Sequence, residues 1–225
     1  MDTLNHISDR LYSRLAGNKE YNQNFLSGEL LKYDIITARS QLIRRDVANH
    51  GSLHEHFWQT IPCMKLIESS EKDCKGCQES KRTEKEVPSL VRMKNTSIIP
   101  IRIHSPDHYI SIPVYPAHHI RWTGSNKFTH SLPKAYRIGN YIHVQNIPYV
   151  EELSISGVYH NPRELQKFND EDGNPIYEDD KEFPMPLDLV EDMIDKITNG
   201  ELELIYSIPR NNPSEQLGRT PEQNE

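Results

Sequence analysis

The chain has 225 residues, with 26 Lys/Arg against 33 Asp/Glu, a formal net charge of −7, 15 Pro, 10 Gly, 3 Cys and 35% hydrophobic residues. That length supports one or two domains with a real core, and the odd, low cysteine count argues against a disulfide-built secreted scaffold and for a reducing compartment. No run approaches the roughly 18 apolar residues of a membrane span, and the N-terminus lacks a signal peptide's apolar segment, so no membrane partner is expected.

Charge is unevenly spread: residues 1–169 hold 22 Lys/Arg and 17 Asp/Glu, whereas residues 170–203 hold 2 and 13. An acidic segment on a mildly basic body favours head-to-tail contact between copies; a solvated acidic linker is the plain alternative.

Asn5 to Ala16 is a helix candidate, with Ile7, Leu11 and Leu15 at four-residue spacing and Gly17-Asn18 as its stop. Ser27 to Asn49 is a longer one. Leu31, Ile35, Ala38 and Leu42 share a face, Lys32, Asp34, Arg39 and Arg45 point elsewhere, and Gly51 closes it. Phe57 to Ile67 is extended and interrupted by Pro62. Ser69 to Lys85 reads as a charged loop. Val87 to Met93, Ile98 to Ile103 and Tyr109 to Tyr115 are strand candidates, which their prolines confine to short or edge positions. Ile120-Arg121-Trp122 precedes a turn at Gly124-Ser125-Asn126.

Tyr136-Arg137-Ile138 and Tyr141-Ile142-His143-Val144 flank Gly139-Asn140, which makes a hairpin. Glu152 to Tyr159 is a further strand. Asn161, Pro162 and Glu164 then mark a capped helix start. Asn169 to Phe183 is an acidic connection. Pro184-Met185-Pro186 opens a helix from Leu187 to Thr198, with early acids, a late Lys196 and Gly200 at its end. Its apolar face is Leu187, Val190, Ile194 and Ile197, with Met193 beside it. Leu202 to Ile208 is a strand or docking arm, and residues 209–225 are too polar to order themselves.

The expected fold class is α+β: N-terminal helices over 1–51, a central antiparallel β-rich domain over 52–168, an acidic linker, amphipathic helix and arm over 169–208, and a flexible polar tail over 209–225. The apolar positions Leu187, Val190, Met193, Ile194, Ile197, Leu202, Leu204 and Tyr206 are the expected oligomer interface.

Catalytic signals are thin. Cys63, Cys74 and Cys77 with His50, His54 or His56 could supply zinc ligands, since Cys74 and Cys77 have the right spacing. A second tight pair is missing, and Cys63 in its apolar stretch suits a buried thiol. His104, Asp107, His108, His118 and His119 are the densest ligand types, which leaves a small metal-dependent hydrolase as an alternative. No HExxH, nucleophile elbow or phosphate-cradling loop accompanies them. Trp58 and Trp122 suit core or interface anchors. No catalytic residue, cofactor or metal is assigned.

The order of features resembles a family. A helical start, a cysteine-bearing, proline-punctuated β region, the hairpin LPKAYRIGNYIHV, the strand–turn SISGVYHNPREL and the helix PMPLDLVEDMIDKI with a polar tail resemble the ring proteins in the portal-to-tail connector of crAss-like podoviruses. The resemblance covers most of residues 26–205. It implies a non-enzymatic virion subunit, assembled in the host cytoplasm, in a ring of twelve copies. Such a ring lies below the portal protein, contacts other connector and tail rings, and lines the DNA exit channel with non-specific DNA contact.

Overall fold

The computed structural model describes residues 2–17, 27–69, 80–93, 99–120 and 127–199. The expectations for Cys74, Cys77, Trp122, the Gly124-Ser125-Asn126 turn, the arm at 202–208 and the tail at 209–225 lie outside them. Among these residues, three described α-helices stand on one end of a curled eight-stranded sheet, so the α+β class is correct.

Helix α1 spans Leu4–Gly17 and buries Leu4, Ile7, Leu11 and Leu15 along the face their spacing predicts. Helix α2 spans Gly28–His50. The Ser27 hydroxyl accepts from the Leu30 N–H at its start, and Gly51, at φ 72°, returns its N–H to Val47 at its end. The sequence places Asp34 and Arg39 on a polar face of α2, but both are buried, together with Ile36 and Ile43. The helix is covered on more than one side: α1 and the C-terminal helix α3, Leu187–Thr198, pack against it, and so does the chain near Phe57, Tyr159 and Pro184.

The strands are β1 (Gln59–Glu68), β2 (Ser80–Thr83), β3 (Ile101–His104), β4 (Ser111–Ile112), β5 (Val114–Tyr115), β6 (Lys134–Ile138), β7 (Tyr141–Gln145) and β8 (Glu152–Gly157). Their order is β4-β3-β8-β1-β2-β7-β6-β5. The two ends of that order, β4 and β5, are separated by Pro113 alone, so their nearest Cα atoms lie at most about 7.6 Å apart. The sheet therefore curls until its edges meet. Pro113 forms one corner, where the chain leaves β3 for β6. The second corner is β1, which pairs with β8 up to Lys65 and with β2 from Leu66.

One face of this closed sheet carries an apolar row on seven of its eight strands; on β2 the residue opposite Val144 is Lys81. The register aligns Ile112, Ile103, Ile155 and Ile61 across four strands, and Val114, Ala135 and Val144 across three of the others. Thr60, Lys65, Arg102 and Ser111 on the other face are exposed, so the apolar face is the inside.

Several strands depart from the sequence expectation. Pairing is antiparallel except between β5 and β6, which run parallel because Pro113 turns the chain without reversing it. Pro62 lies in a bulge: Ile61 and Met64 face Ile155 and Leu153, and the extra residue leaves Cys63 at φ 51°. Ser80–Thr83, expected as loop, forms a strand. Its charges have local partners: the Arg82 guanidinium lies 4.6 Å over the Tyr141 ring, and the Lys81 ammonium donates to the Pro148 and Val150 carbonyls. The 87–93 stretch makes one bridge, Leu90 to Tyr159, instead of a strand. The hairpin forms as expected, with Gly139 at φ 59°. The turn after Asn161 is a 3-10 helix, Pro162–Lys167, capped by the Asn161 side chain on the Arg163 N–H.

Candidate assembly surface

The expected interface on α3 meets a correction. Val190, Met193, Ile194 and Ile197 are fully buried in the chain's own core, against α1 and α2. They are not open to a neighbouring subunit. An amphipathic stripe requires a partner but does not say which chain supplies it. Leu187 is 61% exposed, while Leu202, Leu204 and Tyr206 lie outside the described residues.

The acidic connection is also tucked onto its own body, contrary to the expectation that it lies on other chains. Tyr177, Phe183 and Met185 are buried, and the Phe183 N–H donates to the Asp2 carbonyl. Asp179 meets the Lys32 ammonium at 2.9 Å and Arg163 at 3.2 Å, while Arg163 also reaches Glu29 at 2.7 Å. Arg10 pairs with Glu191, and Arg14 with Asp195, joining the polar flanks of α1 and α3.

Arg39 locks this layer to the sheet. It is fully buried and donates to the carbonyls of Pro184 (3.0 Å), Tyr159 (2.8 Å) and Phe57 (3.4 Å), beside the Phe183 ring. Burial lowers its pKa to about 9. The guanidinium thus ties together three segments far apart in sequence.

At the opposite end of the closed sheet, apolar side chains of the described residues are exposed. The loops between β3 and β4, before β6, and between β7 and β8 all lie there by strand direction. At their tips Tyr109 is 89% exposed, Phe128 83% and Tyr149 96%, with Leu132, Ile110 and Ile67 also exposed. These tips are held in place. The Asn146 amide, at φ 62°, donates to the Leu132 carbonyl at 2.9 Å and to that of His130. The Asp107 carboxylate accepts from the Ser105 hydroxyl and the Tyr109 N–H, which lowers its pKa. Held aromatic tips lose little freedom on docking, which favours their use as anchors. The sequence signal was available in aromatics placed inside turn segments, such as Asn146-Ile147-Pro148-Tyr149.

The histidine readings gain little support. His104 and His108 lie with ring centroids 5.5 Å apart, and His118 and His119 4.2 Å apart. Burial, then His108 and Arg102, lowers the His104 pKa. Among the described residues no three His, Cys, Asp or Glu side chains gather as metal ligands would. Cys63, expected to be buried, is exposed. Trp58 is half-buried, with Arg102 4.2 Å over its ring. Ser40 and His160 make a 2.8 Å contact of the kind a nucleophile and base would make. Ser40 is buried under the helix layer, so the pair joins α2 to the segment after β8.

A buried helix layer, a largely apolar sheet interior and, among the described residues, exposed aromatic tips at one end describe a structural subunit. The family model for phage tail ring protein 2 matches residues 6–217. The chain belongs to that family. A search of curated proteins returns no match. This phage tail ring protein is accordingly a structural component of the virion, in a family whose role is assembly with other tail proteins. No helix among its described residues is long and apolar enough to cross a membrane.

Proposed function

We propose that the protein forms one ring of the head-to-tail connector, twelve copies stacked beneath the portal protein and lining the DNA exit channel, assembled in the host cytoplasm. The observation that carries this reading is the contrast between the two ends of the subunit. A ring in a stack meets a different neighbour above and below, and here one end is closed by helices while the other presents Tyr109, Phe128 and Tyr149. The bare end is the surface for the adjoining ring. Leu187 at the start of α3 and the arm residues Leu202, Leu204 and Tyr206 are the side contact to the next copy. The body over 52–168 carries the stack, with the extension over 169–208 as the subunit joint.

Electron microscopy of the assembled particle, with this chain carrying a C-terminal label, tests the reading. The expected result is a closed ring next to the portal, with the aromatic tips in its axial contact. Label found at the distal tail, or tips facing solvent, would refute it.

A further inference from the structure

The helix layer carries a second, sideways asymmetry. At the first turns of α2, the segment 170–182 is pinned by Asp179 on Lys32 and by Arg163 bridging Glu29 and Asp179. Glu178, next to Asp179, and Glu182 are exposed, as are Glu171 and Asp172 farther along the segment, where Glu171 lies near Cys63 and Glu152; none of the four makes an ion pair among the described residues.

At the far end of α2 the sign reverses. Arg44 and Arg45 lie in its last turns; Arg44 adjoins His160, and its Nε is buried without a hydrogen-bond partner among the described residues. Arg102 lies over Trp58, next to the Phe57 carbonyl that holds Arg39. Exposed Arg92 follows Val91, whose N–H donates to Val158. None of these four arginines has a carboxylate within salt-bridge distance among the described residues. By contrast, Arg10, Arg14 and Arg163 are all paired. The carboxylates near the arginines are Glu55, which is exposed, Asp46, which is turned to His50 at 2.8 Å, and Glu164, which adjoins His160 as Arg44 does without pairing with it.

The 13 residues of helix from Lys32 to Arg45 separate the two patches by about 20 Å. Two unlike, unpaired patches at the ends of one rigid rod cannot satisfy each other within a chain. They can do so between copies related by a rotation, the heterologous contact that closes a ring. We infer that the exposed carboxylates of 171–182 on one copy dock against Arg44, Arg45, Arg92 and Arg102 of the next. The inference rests on the ring reading and adds a charged part to its side-to-side contact. Unpaired arginines also suit a nucleic-acid phosphate backbone, but the matching acidic patch on the same subunit favours a second copy.

Charge exchange tests this on the full chain, with light scattering for mass and a melting curve for the fold. Arg44→Glu with Arg45→Glu, and separately Glu171→Lys with Asp172→Lys and Glu178→Lys, should each raise the concentration for half-assembly at least tenfold. Carrying both sets in one chain, or mixing the two singly reversed chains, should restore it. Because the Arg44 Nε is buried, Arg45→Glu with Arg92→Glu serves as a second reversal confined to exposed side chains. Unimpaired assembly of the singly reversed chains overturns the contact and leaves the ring reading standing. So does an arginine reversal that only abolishes retention of duplex DNA. A wild-type chain that stays monomeric overturns both.

Discussion

The two ends of the closed sheet solve the same problem differently. At the helix end, apolar side chains from β8, the 177–185 segment and three helices cover one another, and Arg39 supplies hydrogen bonds to the carbonyls trapped between them. At the loop end, aromatic side chains of comparable size stand in water on well-braced turns. Folding of the isolated chain buries the apolar side chains of the first end and leaves those of the second exposed.

Substitutions in the helix layer should give the largest losses of stability. Met193→Ala removes a fully buried side chain and should cost about 2–5 kcal/mol in urea unfolding at any protein concentration. A cost that appears only when the chain oligomerises would break the comparison, because it would return α3 to an interface. Arg39→Met strips three buried carbonyls of their donor and should cost on the order of 3 kcal/mol. Arg39→Lys should recover only part of it, since an ammonium does not reproduce the planar fork.

A smaller effect comes from pH. Burial first, then Arg44 and Arg39, hold the His160 imidazole below its ordinary pKa of 6.5, against the opposing pull of Glu164. The unfolded chain then binds a proton that the folded chain resists. Stability should fall as pH drops through 6.5 towards the depressed folded value and level off beneath it. Urea midpoints across that range should show the slope, and His160→Gln should flatten part of it, the remainder belonging to His104.

The smallest effect on folding should come from the loop end. Tyr109→Ser, Phe128→Ser and Tyr149→Ser should each stay within about 0.5 kcal/mol of neutral, while the three combined should abolish association with the adjoining ring. Marked destabilisation of the isolated chain would show that these tips belong to the fold and not to a contact.

Local chemistry was legible in the chain itself. The α1 stripe, the Ser27 and Gly51 caps, the Gly139 hairpin, the Asn161-Pro162 turn and the proline-shortened strands all follow from rules acting over a few residues. Family membership rests on the same ordered features and was also readable there. Ser80–Thr83 escaped notice because its charged side chains find partners only across the sheet. Tertiary structure alone decided that Pro113 closes the sheet, that Arg39 is buried, and that α3 and the acidic segment lie on their own body. An apolar stripe or an unpaired charge records a need for a partner. Which surface meets it depends on where distant segments arrive in space, and residue spacing along the chain carries no record of that.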